Sequence, residues 1–448
     1  MTKIKILAAA MAAIAASQGH TQGFYVDEQS AIRLGDAFSA GAAAISDASV
    51  AAYNPAAMLA TQEELAINLS AISVQSEFKG DATTLNNTPI QGKKAEANNF
   101  DLLPTLYFVT HLDESLAMGA FINAPYATGT DFGDDSVARY AVTESEITGI
   151  DAGVSFAFQA TETTSFGFSI ISQYLNAKTA AAINLTAACL AEAPEAICAA
   201  TGVPASELGD TTHDGQFEIE GNDVAFAFAA GVFTDFQNGG RLGLNYRTRV
   251  VHDIKGTAKV SFKESTNRFV ELAGLENTTA QGKVQITTPE TANISYSHEF
   301  GKLTLQSDVQ WTKWSRFDQI KIESSNSTVS ALTAIPQEHN WEESFRFSLG
   351  ANYALSEQLT LRTGIALDQT PIPTETAKVD FAFDDYKAMS IGMSYQLTED
   401  LALDAGYQHT LAQERAITQD ELASTGSRLQ GDVSNDINSF ALGLRWAM

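Results

Sequence analysis

The stretch SFALGLRW, residues 439–446, sets the reading of the chain. Phe440, Leu442, Leu444 and Trp446 share one side of an extended backbone, with Ser439, Ala441, Gly443 and Arg445 on the other. Successive side chains of a strand point to opposite faces, so this is a strand with one oily face and one small or polar face. The same period of two recurs upstream. Phe226, Phe228 and Ala230 alternate with Ala225, Ala227 and Ala229. Leu303, Leu305, Val309 and Trp311 alternate with Thr304, Gln306, Asp308 and Gln310.

The connections between such segments have a strict rhythm. Six are short and polar: near Asp113 and Glu114, Glu162 and Thr163, Asn238 to Gly240, Phe300 to Lys302, Ser356 and Glu357, and Glu399 and Asp400. These read as tight hairpin turns. Between them lie long polar connections at about 76–99, 127–144, 179–215, 264–280, 324–340, 370–385 and 415–431. Seven long loops interleaved with six tight turns join fourteen strands. A soluble sandwich has no reason to collect every long loop at one end. An outer-membrane barrel does, with its even strand number, short periplasmic turns, long extracellular loops and outward apolar alternation. Closure also satisfies every backbone group in the bilayer. The expected fold is therefore all-β, a 14-stranded antiparallel transmembrane β-barrel with an N-terminal luminal hatch.

Composition agrees once the fold is a barrel. By length alone, 448 residues suggest about three soluble domains. Charged residues make up 18% and hydrophobic ones 44%, with a net charge of −27. So acidic a chain has no basic surface with which to neutralise phosphates, and no nucleic-acid partner is expected. Lys3 and Lys5 precede an apolar run from Ile6 to Ala16, then small and polar residues through Gln22. That pattern reads as a secretory signal over 1–22, cleaved between Ala15 and Gln22, and its loss takes the charge to −29. No later stretch holds 18 uninterrupted apolar residues, so helical membrane spans are excluded. In an exported chain Cys189 and Cys198 suit a small disulfide-closed loop. Metal binding is the weaker reading, because no His or further Cys lies near at ligand spacing. Neither a metal nor a cofactor is expected. The division expected is signal 1–22, hatch 23–60 and barrel 61–448. A small-residue stretch, Ser30 to Ile45, lies in the middle region and suits a plug for a bore that fourteen strands leave open.

Residues 23–58, GFYVDEQSAIRLGDAFSAGAAAISDASVAAYNPAAM, resemble the N-terminal hatch of the long-chain fatty acid outer-membrane transporters, the FadL family. Gly23-Phe24, Glu28, Leu34-Gly35, Ala48 and above all Asn54-Pro55-Ala56 carry the match. Gly221-Asn222, Asn245-Tyr246-Arg247, Trp314-Ser315-Arg316-Phe317 and Arg362 to Ala366, followed by Asp368 and Pro371, continue it in order. The resemblance implies a passive outer-membrane transporter of long-chain fatty acids or similar hydrophobic compounds, aromatic hydrocarbons included. It implies capture on oily loops, passage past the hatch, and sideways exit into outer-membrane lipid through a kinked third strand. A monomer is expected.

Individual residues fit that picture. Pro has no N–H to give a ladder, so Pro125 breaks the third strand and makes Asn123, Ala124 and Pro125 the expected lateral gate. Pro55 holds Asn54 extended, leaving its amide to latch the hatch to the lumen wall. Ala-rich helices in 179–215 and the apolar Phe269, Val270, Leu272 and Leu275 of 264–280 form a candidate capture groove. A carboxylate head group needs a cation, for which Lys178, Arg247, Arg249 and Arg346 are candidates. Asn176, Glu342 and Glu343 stand where relatives carry basic residues, which leaves room for neutral hydrocarbons. The end, Trp446-Ala447-Met448, also departs from the usual terminal aromatic. No enzyme is expected: G-x-S-x-G, a phosphate loop and H-E-x-x-H are all missing. A general polar porin or a structural or adhesin barrel is the competing class.

Overall fold

The structure, a computed structural model, describes residues 23–448. The signal segment 1–22 lies outside the described residues. Fourteen antiparallel strands form a closed wall. The first seven are β1 (Glu64–Thr83), β2 (Glu96–Asp113), β3 (Leu116–Asp131), β4 (Glu144–Gln159), β5 (Thr164–Ile183), β6 (Gly215–Asp235) and β7, in two pieces (Gly240–Arg247 and Val250–Ser261). Next come β8, also in two pieces (Thr278–Thr288 and Thr291–Phe300), β9 (Leu303–Thr312), β10 (Ser344–Ala354) and β11 (Leu359–Asp368). The last three are β12 (Tyr386–Gln396), β13, in two pieces (Leu401–Ala412 and Arg415–Glu421), and β14 (Ser427–Ala447). Strand β14 closes on β1 in unbroken register from Glu64↔Ala447 to Thr83↔Arg428.

The period of two decides which way each side chain faces. Phe440, Leu442, Leu444 and Trp446 are 45–59% exposed on the outside, while Ser439 and Ala441 are buried. On β6, Phe226 and Phe228 face out and Ala227 and Ala229 face in. On β9, Gln306, Asp308 and Gln310 are buried in the lumen. The polar faces thus point inward, against the luminal segment, and the apolar faces point to lipid.

All six tight turns stand where the sequence places them. The long connections do not keep their expected limits. β1 runs on to Thr83, β2 starts at Glu96, and a hairpin of Arg415–Glu421 with β14 fills most of 415–431. The connection expected at 324–340 instead occupies 313–343 between β9 and β10. The reason is physical. A strand crosses a bilayer in about 9–11 residues, yet β1 has 20 and β14 has 21. Beyond the membrane the ladder continues in water with polar side chains on its outer face, such as Lys79 and Asp81, and the apolar alternation disappears.

Residues 23–60 run inside the barrel and are almost wholly buried. They form a short helix α1 (Ala31–Gly35), a second, α2 (Val50–Tyr53), and a 3-10 turn (Pro55–Ala60). Their backbone lies directly on the wall because glycines leave room there. A side chain built on Gly35 would stand 2.8 Å from the Gly392 backbone, and one on Gly406 would meet the Gly35 nitrogen at 3.0 Å. Ser155 donates to the Ala51 carbonyl (2.6 Å) and Ser165 to the Ala56 carbonyl (2.7 Å), tying the same surfaces.

Overpacking a close-packed contact costs about 1–3 kcal/mol. Gly392→Ala is therefore expected to loosen residues 23–60 from the wall by that amount while the barrel stays closed. Limited proteolysis, cutting within 23–60 at unchanged heat-modifiability on gels, checks it.

Candidate functional site

Strand β3 leaves its neighbour part-way along. The β2–β3 ladder runs from Asp113↔Leu116 only as far as Leu106↔Ile122, so Glu96–Thr105 of β2 keep β1 alone as a strand partner. On its other side β3 stays joined to β4, but the register slips between Asn123 and Tyr126, leaving Ala124 and Pro125 out of the ladder. Pro125 is the cause, since it lacks a ladder donor. Beyond this point β3 takes a different partner. Val26 N–H donates to Pro125 O (2.9 Å), Ala127 N–H donates to Phe24 O (2.9 Å), and Tyr25 bridges Tyr126. The chain's own Phe24–Val26 segment supplies the strand edge that β2 does not, and Asn99 reaches across the cleft to Gly129 O (2.7 Å).

Phe24 ends in an aromatic box. Its ring lies 4.7 Å from Trp314, 5.3 Å from Phe317, 5.8 Å from Tyr126 and 5.9 Å from Trp341. His339 and Phe381 extend the box, His339 tilted against Phe317 (4.6 Å) and Phe381 edge-on to Trp341 (5.6 Å). Burial pushes the His339 imidazole down to about 3, so it is neutral at physiological pH. Trp341, His339 and Phe381 are site residues the sequence reading missed. Their signal was present as single aromatic residues inside otherwise polar loops.

Asn54 sits in an extended conformation ahead of Pro55. Its amide nitrogen donates to Ala42 O (2.7 Å) and to Val232 O of β6 (3.1 Å), and its oxygen accepts from Ala56 N–H (3.2 Å). Glu28 accepts from Ser439 (3.1 Å) and lies near Gln408 of the wall. Burial raises the Glu28 carboxyl to about 7, with the Asp27 charge adding to the rise, and burial raises Asp36 to about 6.

The four candidate cations are not brought together. Lys178 borders a small, mainly apolar cavity walled by Ile147, Ile254, Ile286, Ile320 and Phe381, but its side chain stands on the outward side of β5 with Tyr174 and is ion-paired to Glu144 (2.6 Å). The cavity holds about 60 Å³, against roughly 300–1,000 Å³ for a ligand pocket. Arg247 pairs with the buried Asp151. Arg346 pairs with Asp27 (3.2 Å) and Asp368 (3.5 Å) and donates to Ala37 O. Arg249 sits at the break in β7 and is exposed. Outside, a disulfide joins Cys189 and Cys198 and so ties helix α3 (Leu185–Glu192) to α4 (Glu195–Ala200). These helices pack with Val270 and Val329 into a loop cap, in which Phe269 and Leu275 are half-buried and Leu272 stays exposed.

Both the sequence and the fold match known proteins. Residues 12–447 match the family described as "Outer membrane protein transport protein (OMPP1/FadL/TodX)". The chain belongs to this family. Its FadL/TodX relatives include the long-chain fatty acid transport protein of Escherichia coli O6:H1, 27% identical over 431 residues and 94% of each chain. Outer membrane protein P1 of Haemophilus influenzae is 25% identical over 462 residues and 96% of each chain. The fold matches a Pseudomonas aeruginosa FadL homologue with a TM-score of 0.84, at 20% identity over 95% of this chain and 99% of that one. The toluene transporter TodX of Pseudomonas putida follows with a TM-score of 0.65, at 16% identity over 96% and 100%. Like them, this FadL/TodX member is an outer-membrane transport protein.

The raised carboxyls predict a pH response. Glu28 holds its proton more tightly when folded than when unfolded, where its value is 4.5. Its contribution is full below about pH 4.5 and is lost as pH rises through about 7, a change of about 3 kcal/mol at most. Hydrogen exchange of residues 23–60 is expected to quicken across that window, and Glu28→Gln is expected to flatten the response.

Proposed function

We propose that this protein takes up hydrophobic compounds, long-chain fatty acids first, by loop capture, displacement of the N-terminal segment and sideways release at β3. The observation that carries the reading is the pairing of Phe24–Val26 with the split part of β3. One segment fills the aromatic box and closes the wall. A ligand entering the box competes with the Phe24 ring for the same volume. Withdrawal of Phe24 removes its hydrogen bond to Ala127 and frees the edge at Asn123, Ala124 and Pro125, where the cleft faces lipid. Residues 23–60 then act as a hatch, with Asn54 as the latch on β6, and the exposed Leu272 and Ile197 mark where an acyl chain first meets the loop cap.

Lys178 is kept as the candidate partner for a carboxylate, as the cation that borders the cavity, with its ammonium on the outward side of β5. A specific observation keeps the neutral-hydrocarbon reading alive. Glu144 at 2.6 Å and Glu218 at 4.0 Å already balance the Lys178 charge. A general porin fits less well, since residues 23–60 fill the bore.

Two experiments test this. Residues paired across a ladder have Cα atoms at disulfide distance, so Tyr25→Cys with Tyr126→Cys, in a Cys189→Ser, Cys198→Ser background, is expected to lock the segment. Uptake of labelled oleate by cells with no other such transporter should then stop under oxidation and return with reductant. Undiminished uptake by the locked form would refute the hatch and gate. Separately, Lys178→Ala should lower oleate uptake about tenfold or more, as expected for a lost charge-assisted bond, and leave toluene uptake unchanged. Equal loss of both would remove Lys178 from head-group recognition.

A further inference from the structure

The aromatic box around Phe24 carries buried nitrogens with nothing to bond. Trp314, Trp341 and His339 are 0%, 2% and 1% exposed. Neither indole N–H meets an acceptor among the described residues, and neither ring nitrogen of His339 has a partner there. The three rings are contiguous, with centroids 5.2 Å apart for Trp314 and Trp341 and 6.1 Å for His339 and Trp341. A buried donor without an acceptor forfeits the bond it had with water, and folded proteins rarely leave one so. Charged groups of the lumen with one unpaired atom keep a partner at another, as Glu28 does with Ser439 (3.1 Å) and Arg346 with Asp27 (3.2 Å). An indole has only the one polar atom. The Tyr126 hydroxyl, in the same box, does find an acceptor in Pro289 O (3.4 Å).

An oxygen atom would suit these groups, and the surrounding charges decide which kind. The cations beside the box are matched. Lys378, whose charge acts on His339, is paired with Glu421 (2.9 Å). Arg247, 5.7 Å from the Tyr126 ring, is paired with Asp151. A carboxylate moved into such a place loses its hydration and gains no counter-charge, which is costly. His339 is neutral, so one of its nitrogens donates and the other accepts. A hydroxyl matches that set. Its oxygen accepts from an indole N–H, and its proton goes to the bare imidazole nitrogen.

We infer that the box, once Phe24 withdraws, binds the uncharged hydroxyl of a long-chain alcohol, with Trp314, Trp341 and His339 as its hydrogen-bond partners. This rests on the reading in which cargo displaces Phe24, and it names the cargo more narrowly. The Phe24 ring has no polar atom, so its exchange for an alcohol satisfies donors that the resting state leaves unpaired. A hydrocarbon gains the burial alone, and a fatty acid fits the box only as the neutral acid.

The test uses the full chain in detergent with Trp311→Phe and Trp446→Phe, which leaves Trp314 and Trp341 as the emitting tryptophans. Quenching by dibrominated octadecanol, octadecane and stearate gives their affinities, the last at about pH 8, where its carboxyl is ionised. The alcohol should bind about tenfold more tightly than the hydrocarbon, and more tightly than the carboxylate. His339→Phe and Trp341→Phe each keep a ring and remove a donor. Each should cut the alcohol's advantage and leave the hydrocarbon's affinity unchanged. Equal affinity for alcohol and hydrocarbon would overturn the assignment and leave the displacement of Phe24 standing. So would an advantage untouched by both variants, or stearate binding as tightly as the alcohol. Undiminished quenching by alcohol and hydrocarbon in the oxidised Tyr25→Cys, Tyr126→Cys form would instead strike the displacement itself.

Discussion

A backbone that enters a bilayer has to find hydrogen-bond partners within the protein, and one place in this wall fails to supply them from its neighbour. Above Ile122, β3 has no ladder to β2. In hydrocarbon each unpaired group costs several kcal/mol, so a barrel with such a cleft needs something else along the edge. The chain meets the demand with its own Phe24–Val26. Much of the interior follows. The segment has to pass through the lumen to reach β3, and the wall has to be smooth enough to let it through. Glycines at the inner surface, such as Gly392 against Gly35, provide that smoothness.

The same constraint accounts for the charges inside. Filling a wide bore with a chain of short turns leaves many polar groups without water, and the charged ones need partners. Arg33 donates to Ser49 (2.6 Å) and to Gly41 O (2.8 Å), and its guanidinium lies 4.3 Å from the Tyr53 ring. Arg346 joins the luminal Asp27 to the wall residue Asp368, which also accepts from Tyr386 (2.6 Å). A buried pair adds little over an apolar substitute, but removing one partner is costly. Such pairs therefore fix position more than they add stability. They hold the segment in one register against β10 and β11. This engagement also explains why Arg247 and Arg346, reasonable as head-group partners on sequence grounds, have no free charge to offer.

Strand number, order and facing were legible because a period of two and a tight turn are local properties. Each needs only a few neighbouring residues, as at Ser439–Trp446. Pro125 was legible for the same reason, since the loss of a donor belongs to the residue itself. What replaces the lost ladder was not legible. The partners Phe24–Val26 lie about a hundred residues earlier, and no local pattern records a pairing at that distance. The aromatic box has the same character: Trp314 and Trp341 come from opposite ends of one long connection and Phe381 from another, and they meet only in the folded barrel. Strand ends were hidden for another reason. Above the membrane, β1 and β14 keep their ladder while their outward residues turn polar, so the feature that defines a strand in lipid vanishes although the strand continues.

The proposed transport cycle draws its coupling from this geometry. A ligand shifts a conformational balance only by binding one state more tightly than the other. Here no relay through the wall is required, because the segment that fills the aromatic box is the segment that pairs with β3. The resting cavity beside Lys178, at about 60 Å³, is too small for an acyl chain. Phe24 itself fills the aromatic box, so in the proposed cycle occupancy of the box and opening of the edge depend on one another. The free energy to be overcome is a few backbone hydrogen bonds and one aromatic ring leaving its box. An acyl chain burying its methylenes at about 0.8 kcal/mol each matches that cost within several carbons. Compounds too small or too polar to bury that much surface would leave the segment where it is.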